Sequence, residues 1–283
     1  MNPLQDVRLS FIGCGVMAEA IVAGLLRREL AKPENIIASH PRADRRDELR
    51  QRHGIHVVEG NTEAATFGHP GEPGEVSSIV ILAVKPQRIG TILRELRGHI
   101  QQDQLVLSIV AGARMATIAG ELLHPSIARA MPNTPAQIGQ GMTAWTATPE
   151  VLESQKVQIR AMLDALGREI WVDEERMIDM ATALSATGPT YIFLVMEALV
   201  DAGVHMGFSR HVAEELVTQT ILGSVLFAKE SHKHPAELRN MVTSPGGTSA
   251  AAIYQMEKGS LRTVLSKAVW AAYQRAEALG QKK

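Results

Sequence analysis

The stretch Leu9-Ser10-Phe11-Ile12-Gly13-Cys14-Gly15-Val16-Met17-Ala18 constrains the fold of this chain more than any other. Val7, Leu9 and Phe11 alternate as in a strand, whereas Met17, Ile21, Leu25 and Leu26 recur at helical spacing. The two glycines therefore stand where one period gives way to the other, and a strand, a tight turn and a helix start follow. In the pattern Gly13-x-Gly15-x-x-Ala18 the first glycine makes the turn and the second lets a pyrophosphate approach the backbone. The third position must be small for the helix to lie against the strand. Free amides at the helix N-terminus then face an anion, so Gly13, Cys14, Gly15, Val16 and Met17 form a candidate dinucleotide site. The plainer reading is a βα turn with convenient glycines.

At 283 residues, with 45% hydrophobic and 21% charged content, the chain can form one large or two ordinary domains. A formal charge of -1 gives no electrostatic reason for nucleic acid as a partner. Cys14 is the only cysteine, which excludes an internal disulfide and a cysteine-rich metal site; it reads as a small filler in the turn. The histidines lack metal-ligand spacing, so no metal is assigned. Met1–Asp6 lacks the pattern of a signal peptide. The most apolar helical candidate, Tyr191–Met206, carries Glu197 and Asp201 and reads as a buried helix, not a membrane span. A cytoplasmic protein without a membrane partner is expected.

Asn35–Ser39 makes a second strand, and its end is where such folds read the adenine ribose. An NAD enzyme usually places an acidic residue there. Here Ser39-His40-Pro41-Arg42 stands, with Arg45 and Arg46 following; a hydroxyl and guanidinium groups suit a 2′-phosphate. NADPH is favoured, with NADH possible, and a surface basic cluster without a ligand is the alternative. Ile55–Val58, Ser78–Val84, Leu105–Val110, Ser126–Met131, Met142–Thr146 and Glu169–Val172 are further strand candidates, with a helix over Pro149–Leu166. Phe67–Glu75 is too rich in Gly and Pro for helix or inner strand and is expected to be an exposed loop. The alternation gives a Rossmann-type doubly wound parallel sheet over 1–172. Ligands bind at the carboxyl ends of such strands, which places Ala83, Val84, Lys85, Ala111 and Gly112 near the cofactor. Lys85 is a weak candidate acid, since a lysine leaving a strand toward solvent is commoner.

Beyond Asp173 strand signals give way to helical periods at roughly 174–185, 189–206, 209–229, 235–242, 249–258 and 260–280, so 173–283 reads as an all-α domain. The stretch from Pro189 is apolar nearly all round, which predicts burial against a second subunit; a tightly folded monomeric bundle is the alternative. Glu197 and Asp201 lie four apart and read as a packing contact before an acid/base dyad. In Val242-Thr243-Ser244-Pro245-Gly246-Gly247-Thr248-Ser249, Pro245-Gly246 fits the centre of a type II turn and Gly247 permits close backbone approach. Thr248 or Ser249 can then open a helix whose free amides and hydroxyls form an anion nest, the alternative being an ordinary helix cap.

These pieces resemble the pyrroline-5-carboxylate reductase family, which makes L-proline in the last step of its synthesis. The matching residues are Phe11-Ile12-Gly13-x-Gly15-x-Met17-Ala18, Leu82-Ala83-Val84-Lys85-Pro86-Gln87, Met131-Pro132-Asn133-Thr134-Pro135, Leu184-Ser185-x-x-Gly188-Pro189-x-Tyr191 and Ser244-Pro245-Gly246-Gly247-Thr248. The resemblance implies a Rossmann domain followed by a helical substrate-binding and dimerisation domain, forming a homodimer and in some members a ring of dimers. It implies hydride transfer from NAD(P)H to the C=N carbon of 1-pyrroline-5-carboxylate, a small-molecule substrate. By that likeness the pyrophosphate lies on Cys14 to Met17, the ribose end on Ser39 and Asn61, and the nicotinamide side near Ala83, Val84, Lys85, Ala111, Gly112 and Asn133. The substrate carboxylate takes Ser244, Gly247, Thr248 and Ser249, and the Ser249 hydroxyl reaches the imine nitrogen. The family usually has Thr at the position of Ser249, and His40-Pro41-Arg42 replaces its more usual Asn-Arg pattern. Alternative readings are a related NAD(P)-dependent imine or β-hydroxyacid-type reductase, and a non-catalytic dinucleotide-binding regulator.

Overall fold

In the computed structural model, which describes residues 2–67 and 78–281, the chain divides into two compact units: residues up to Thr187 together with those from Ala272 onward, and Gly188–Ala271. The expected loop at Phe67–Glu75 falls outside the described residues apart from Phe67.

The first unit holds an eight-stranded sheet in the order β3-β2-β1-β4-β5-β6-β7-β8. Its strands are β1 (Arg8–Ile12), β2 (Ile36–Ser39), β3 (His56–Val58), β4 (Ser78–Leu82), β5 (Leu105–Ser108), β6 (Ile127–Met131), β7 (Gly141–Ala147) and β8 (Gly167–Trp171). Strands β1 to β6 are mutually parallel, with Leu9 opposite both Ile36 and Ile79. The expected doubly wound parallel sheet is present with one antiparallel pairing: β7 runs antiparallel to β6, and β8 runs parallel to β7. Only Pro132–Gln140 joins Met131 to Gly141, too short a connection for a parallel crossover.

Strand alternation sends side chains to two cores. Leu9, Phe11, Ile79, Ile81, Leu105 and Leu107 meet α1 (Val16–Arg27), α2 (Ala43–His53) and α6 (Glu153–Asp164) on one face. Ile12, Val80, Leu82 and Val106 meet α3 (Asn61–Ala65), α4 (Ile89–Leu96) and α5 (Met115–Leu122) on the other. Both faces are covered, which is why β4 and β5 read as unbroken apolar runs.

The helical part begins with α7 (Arg176–Ala181), which continues as a π-helical turn over Thr182–Ala186. The compact units part after Thr187, and α7 is tied to the sheet by a charge cluster. Arg129, fully buried on β6, pairs with Glu175 at 3.0 Å and Asp179 at 2.6 Å. The second unit contains α8 (Gly188–His205), α9 (Arg210–Ser231), α10 (Pro235–Met241), α11 (Thr248–Lys258) and the first turns of α12 (Leu261–Gln281); the last turns of α12 belong to the first unit. Asp201 on α8 pairs with Arg210 on α9 at 3.0 Å, so it serves helix packing.

Within one chain helix α8 is largely uncovered, and burial against a second subunit, as expected from its composition, concerns this open flank. Ile192, Phe193, Leu194, Val195 and Leu199 are exposed, Leu194 at 65%, and only Val200 and Gly203 are buried. The continuous helical stretch Arg176–His205 is long and apolar enough to cross a membrane. A self-covered bundle is overturned for this helix, since the chain's own helices leave its apolar flank open.

Candidate functional site

The turn between β1 and α1 is held by backbone geometry. Gly13 has φ +82°, and a Cβ there would lie 2.8 Å from Val84 Cγ1 and 3.2 Å from the Ala83 carbonyl oxygen. Only glycine fits. Gly15 then caps α1, whose first helical bond runs from Glu19 N–H to Gly15 O, leaving the amides of Val16, Met17 and Ala18 without helical partners. A Cβ on Gly15 would meet nothing within 4 Å, so open space lies beside those amides. This suits a pyrophosphate, by hydrogen bonding and by the helix dipole together. Cys14 is buried and makes the turn's inner wall; burial foremost pushes its thiol up to about 12, with the Glu19 carboxylate adding to the effect.

The strand-end residues divide their labour in a way the sequence does not display. Ser39 is fully buried: its hydroxyl accepts the Gly13 N–H at 2.9 Å and donates to Asn61 Oδ1 at 2.8 Å. It braces the glycine turn and does not face solvent, so its expected place as a direct phosphate reader is not what the structure presents. Asn61 donates onward to Glu95 at 2.9 Å. Arg45 is committed to Glu19 and to Glu48, the latter at 2.6 Å. Arg46 donates to the carbonyls of His40 and Pro41, both at 2.9 Å, and pairs with Glu59 at 3.0 Å. Arg42 stands apart, with a side chain 66% exposed and, among the described residues, only a loose 3.7 Å contact to Asp44. Of the three guanidinium groups, Arg42 is the one able to turn toward an added phosphate.

At the carboxyl ends of β4 and β5, Ala83 N–H is held by Ile12 O at 3.0 Å and Ile109 N–H by Leu82 O at 3.0 Å. Ala83 and Val84 are half-buried beside Gly13, while Lys85 is exposed at the start of a short 3₁₀ turn, Pro86–Arg88. A cleft of about 770 Å³ opens here, lined by Pro86, Gln87, Ala111, Gly112, Arg114 and Leu279 among others. Another cleft, of about 710 Å³, borders the C-terminal ends of α1 and α2 near Leu26 and His53. Its helix ends present carbonyls, the wrong pole for a phosphate. Asn133 accepts the Met142 N–H at 2.9 Å and donates to the Ser185 carbonyl at 3.3 Å, which ties the end of β6 to the π-helical turn. Sequence reasoning did not single out Glu95, Glu175 or Arg129, which hold Asn61 and α7; nothing local in the chain marks such partners.

In the second unit, Ser244–Gly247 forms the expected turn: Gly247 N–H donates to Ser244 O at 3.1 Å, with Gly246 at φ +70°. Gly247 caps α11, and a Cβ on it would fall 2.5 Å from Ser244 Oγ. The first helical bond runs from Ala251 N–H to Gly247 O, so the amides of Thr248, Ser249 and Ala250 are left for an anion. The hydroxyls of Ser244, Thr248 and Ser249 belong to the same short segment.

Fold and glycine turn together define a Rossmann-type dinucleotide-binding protein. A family profile described as pyrroline-5-carboxylate reductase dimerisation matches residues 175–279, and one described as NADP oxidoreductase, coenzyme F420-dependent, matches residues 8–112. The chain is 41% identical to a pyrroline-5-carboxylate reductase of Synechocystis over 98% of its own length and 100% of that protein. It is 39% identical to one of Pseudomonas aeruginosa, again over 98% and 100%. Among solved structures, the Plasmodium falciparum pyrroline carboxylate reductase with NADP bound is 29% identical, covers 98% of this chain and 100% of that one, and has a TM-score of 0.86. A Coxiella burnetii pyrroline-5-carboxylate reductase is 35% identical, with 99% and 100% coverage and a TM-score of 0.85. The chain belongs to the pyrroline-5-carboxylate reductase family.

Proposed function

We propose that this chain reduces 1-pyrroline-5-carboxylate to L-proline with NADPH. The observation that carries the reading is full-length membership of the family together with an intact anion nest at Ser244–Ser249. A bound reduced nicotinamide supplies the hydride, which goes to the C=N carbon, while the imine nitrogen keeps the proton that made it an acceptor. The protein's part is alignment. The amides after Gly15 hold the pyrophosphate, Arg42 meets the 2′-phosphate, and Ala83, Val84, Ala111 and Gly112 wall the nicotinamide side. Thr248 and Ser249 amides hold the substrate carboxylate, and the Ser249 hydroxyl hydrogen-bonds the imine nitrogen.

Preference for NADPH over NADH is part of this proposal, supported by the exposed Arg42 guanidinium and by His40, not an acid, following Ser39. So is a homodimer, in which a second copy covers the open flank of α8, and a soluble cytoplasmic location, since that flank then meets protein and not lipid. Rings of dimers extend the same proposal. The test is steady-state oxidation of NADPH, and separately NADH, with 1-pyrroline-5-carboxylate while proline is scored. Proline with a clear NADPH advantage is expected; cofactor binding without proline would overturn the substrate assignment.

A further inference from the structure

The β5–α5 loop, Ala111–Arg114, is held at two points by segments from later in the chain. Gly112 has φ +75°, and a Cβ on it would fall 2.7 Å from Leu279 Cβ and 3.0 Å from Gly280 N. A Cβ on Gly280 would in turn fall 3.1 Å from the Gly112 carbonyl oxygen and 3.1 Å from Arg114 Nε. The end of α12 thus lies close against this loop, with no room for a side chain on Gly112 and only a tight fit for one on Gly280. Arg114 Nε lies beside Gly280 near the C-terminal end of α12, a place that favours a positive charge.

The loop has a second anchor. Glu175 accepts the Met115 N–H at 2.7 Å, satisfying a first-turn amide of α5, and the same oxygen accepts from Arg129 Nη1 at 3.0 Å. Arg129 is fully buried and donates its other arm to Asp179 at 2.6 Å, so the carboxylate that receives Met115 is itself fixed against the sheet. Both anchors arrive from beyond the last strand, and neither belongs to the glycine turn or to the nest.

We propose that Glu175 and Gly280 are positioning residues that clamp the β5–α5 loop at Met115 and at Gly112, and so set where the nicotinamide end of the cofactor rests. The inference depends on the assignment of Ala111 and Gly112 to the nicotinamide side made under the proposed function. A displacement of a few tenths of an ångström at Gly112 changes the distance across which the hydride moves, to which rates are steeply sensitive.

The experiment compares Gly280→Ala and Gly280→Val with the unaltered protein, measuring turnover and, by calorimetry, the affinities for NADPH and for 2′-phospho-ADP-ribose, which lacks the nicotinamide. In Gly280→Val, turnover or NADPH affinity falls by about tenfold or more while 2′-phospho-ADP-ribose binds as before, and Gly280→Ala lies between. Glu175→Ala reproduces the split, and Glu175→Gln, which keeps an oxygen for Met115 N–H, largely restores it. Should Glu175→Ala not fold, the Gly280 pair decides alone. Unchanged turnover and NADPH affinity, or equal weakening of both ligands, would overturn the clamp. An unaltered protein that binds NADPH yet forms no proline overturns the substrate assignment instead, and the ligand split still reports on the clamp.

Discussion

Helices α1 and α8 are both apolar along much of their length, yet α1 buries Ala18, Ile21, Val22 and Leu25 under the sheet whereas α8 buries only Val200 and Gly203. The sheet unit finds both halves of its cores within the chain; the helical unit carries one half of an apolar surface and leaves the other half to be supplied. Apolar content alone therefore does not say what covers a helix. The two glycine-containing turns follow the same division. Gly13 is locked by Val84 and by the buried Ser39 hydroxyl, while the Ser244–Ser249 turn is held by its own short-range bond and is otherwise open.

The largest effect that would sharpen this contrast comes from Phe193→Asp. A charge on the open flank of α8 should turn the proposed dimer into monomer by sedimentation and abolish turnover, while the Trp145 near-UV signal of the sheet unit persists; a dimer left unchanged would break the comparison. Gly13→Ala acts on the self-sufficient side, forcing φ +82° and a 2.8 Å contact on a Cβ at a cost of about 2–4 kcal/mol. NADPH binding should be lost with the oligomer intact. On the proposal that its hydroxyl meets the imine nitrogen, Ser249→Ala should lower turnover about tenfold or more while leaving NADPH affinity within about twofold; equal turnover would remove Ser249 from the mechanism.

The smallest effect is a pH dependence confined to the sheet unit. Burial works against ionisation of Glu19, but hydrogen bonds from His53, Arg45 and Arg52 prevail and hold its carboxyl down at about 2. A folded value below the unfolded 4.5 means stability that is complete above about pH 5 and is lost as pH falls toward 2. After solvent screening, Glu19→Gln should cost about 1–2 kcal/mol at pH 7 and converge with the unaltered protein near pH 2, read by denaturant melts.

Much of this was legible because it is local. Strand alternation, the glycine turn, the Pro245-Gly246 turn and the six helical periods after Asp173 depend on neighbours in sequence, and the structure has each within a few residues. What was not legible depends on distant partners. The alternation of Met142–Thr146 shows a strand but not its direction, so the antiparallel β7 was invisible. Ser39 reads as a ligand until Gly13 N–H is seen against its hydroxyl, and Arg45 reads as free until Glu19 is brought beside it from α1. Helix α7 sits with the sheet because Arg129, 46 residues before Glu175, needs a carboxylate in a dry place.

Cys14 carries a consequence of a different kind. With its thiol buried in the wall of the glycine turn and that burial pushing it up to about 12, it should react slowly with alkylating reagents while the turn is closed. Any labelling must pass through a state in which that wall has swung open. On the proposed cofactor placement the chain's single sulfhydryl is a stopwatch beside the dinucleotide: its alkylation rate should count the turn's openings, and bound dinucleotide should slow the count.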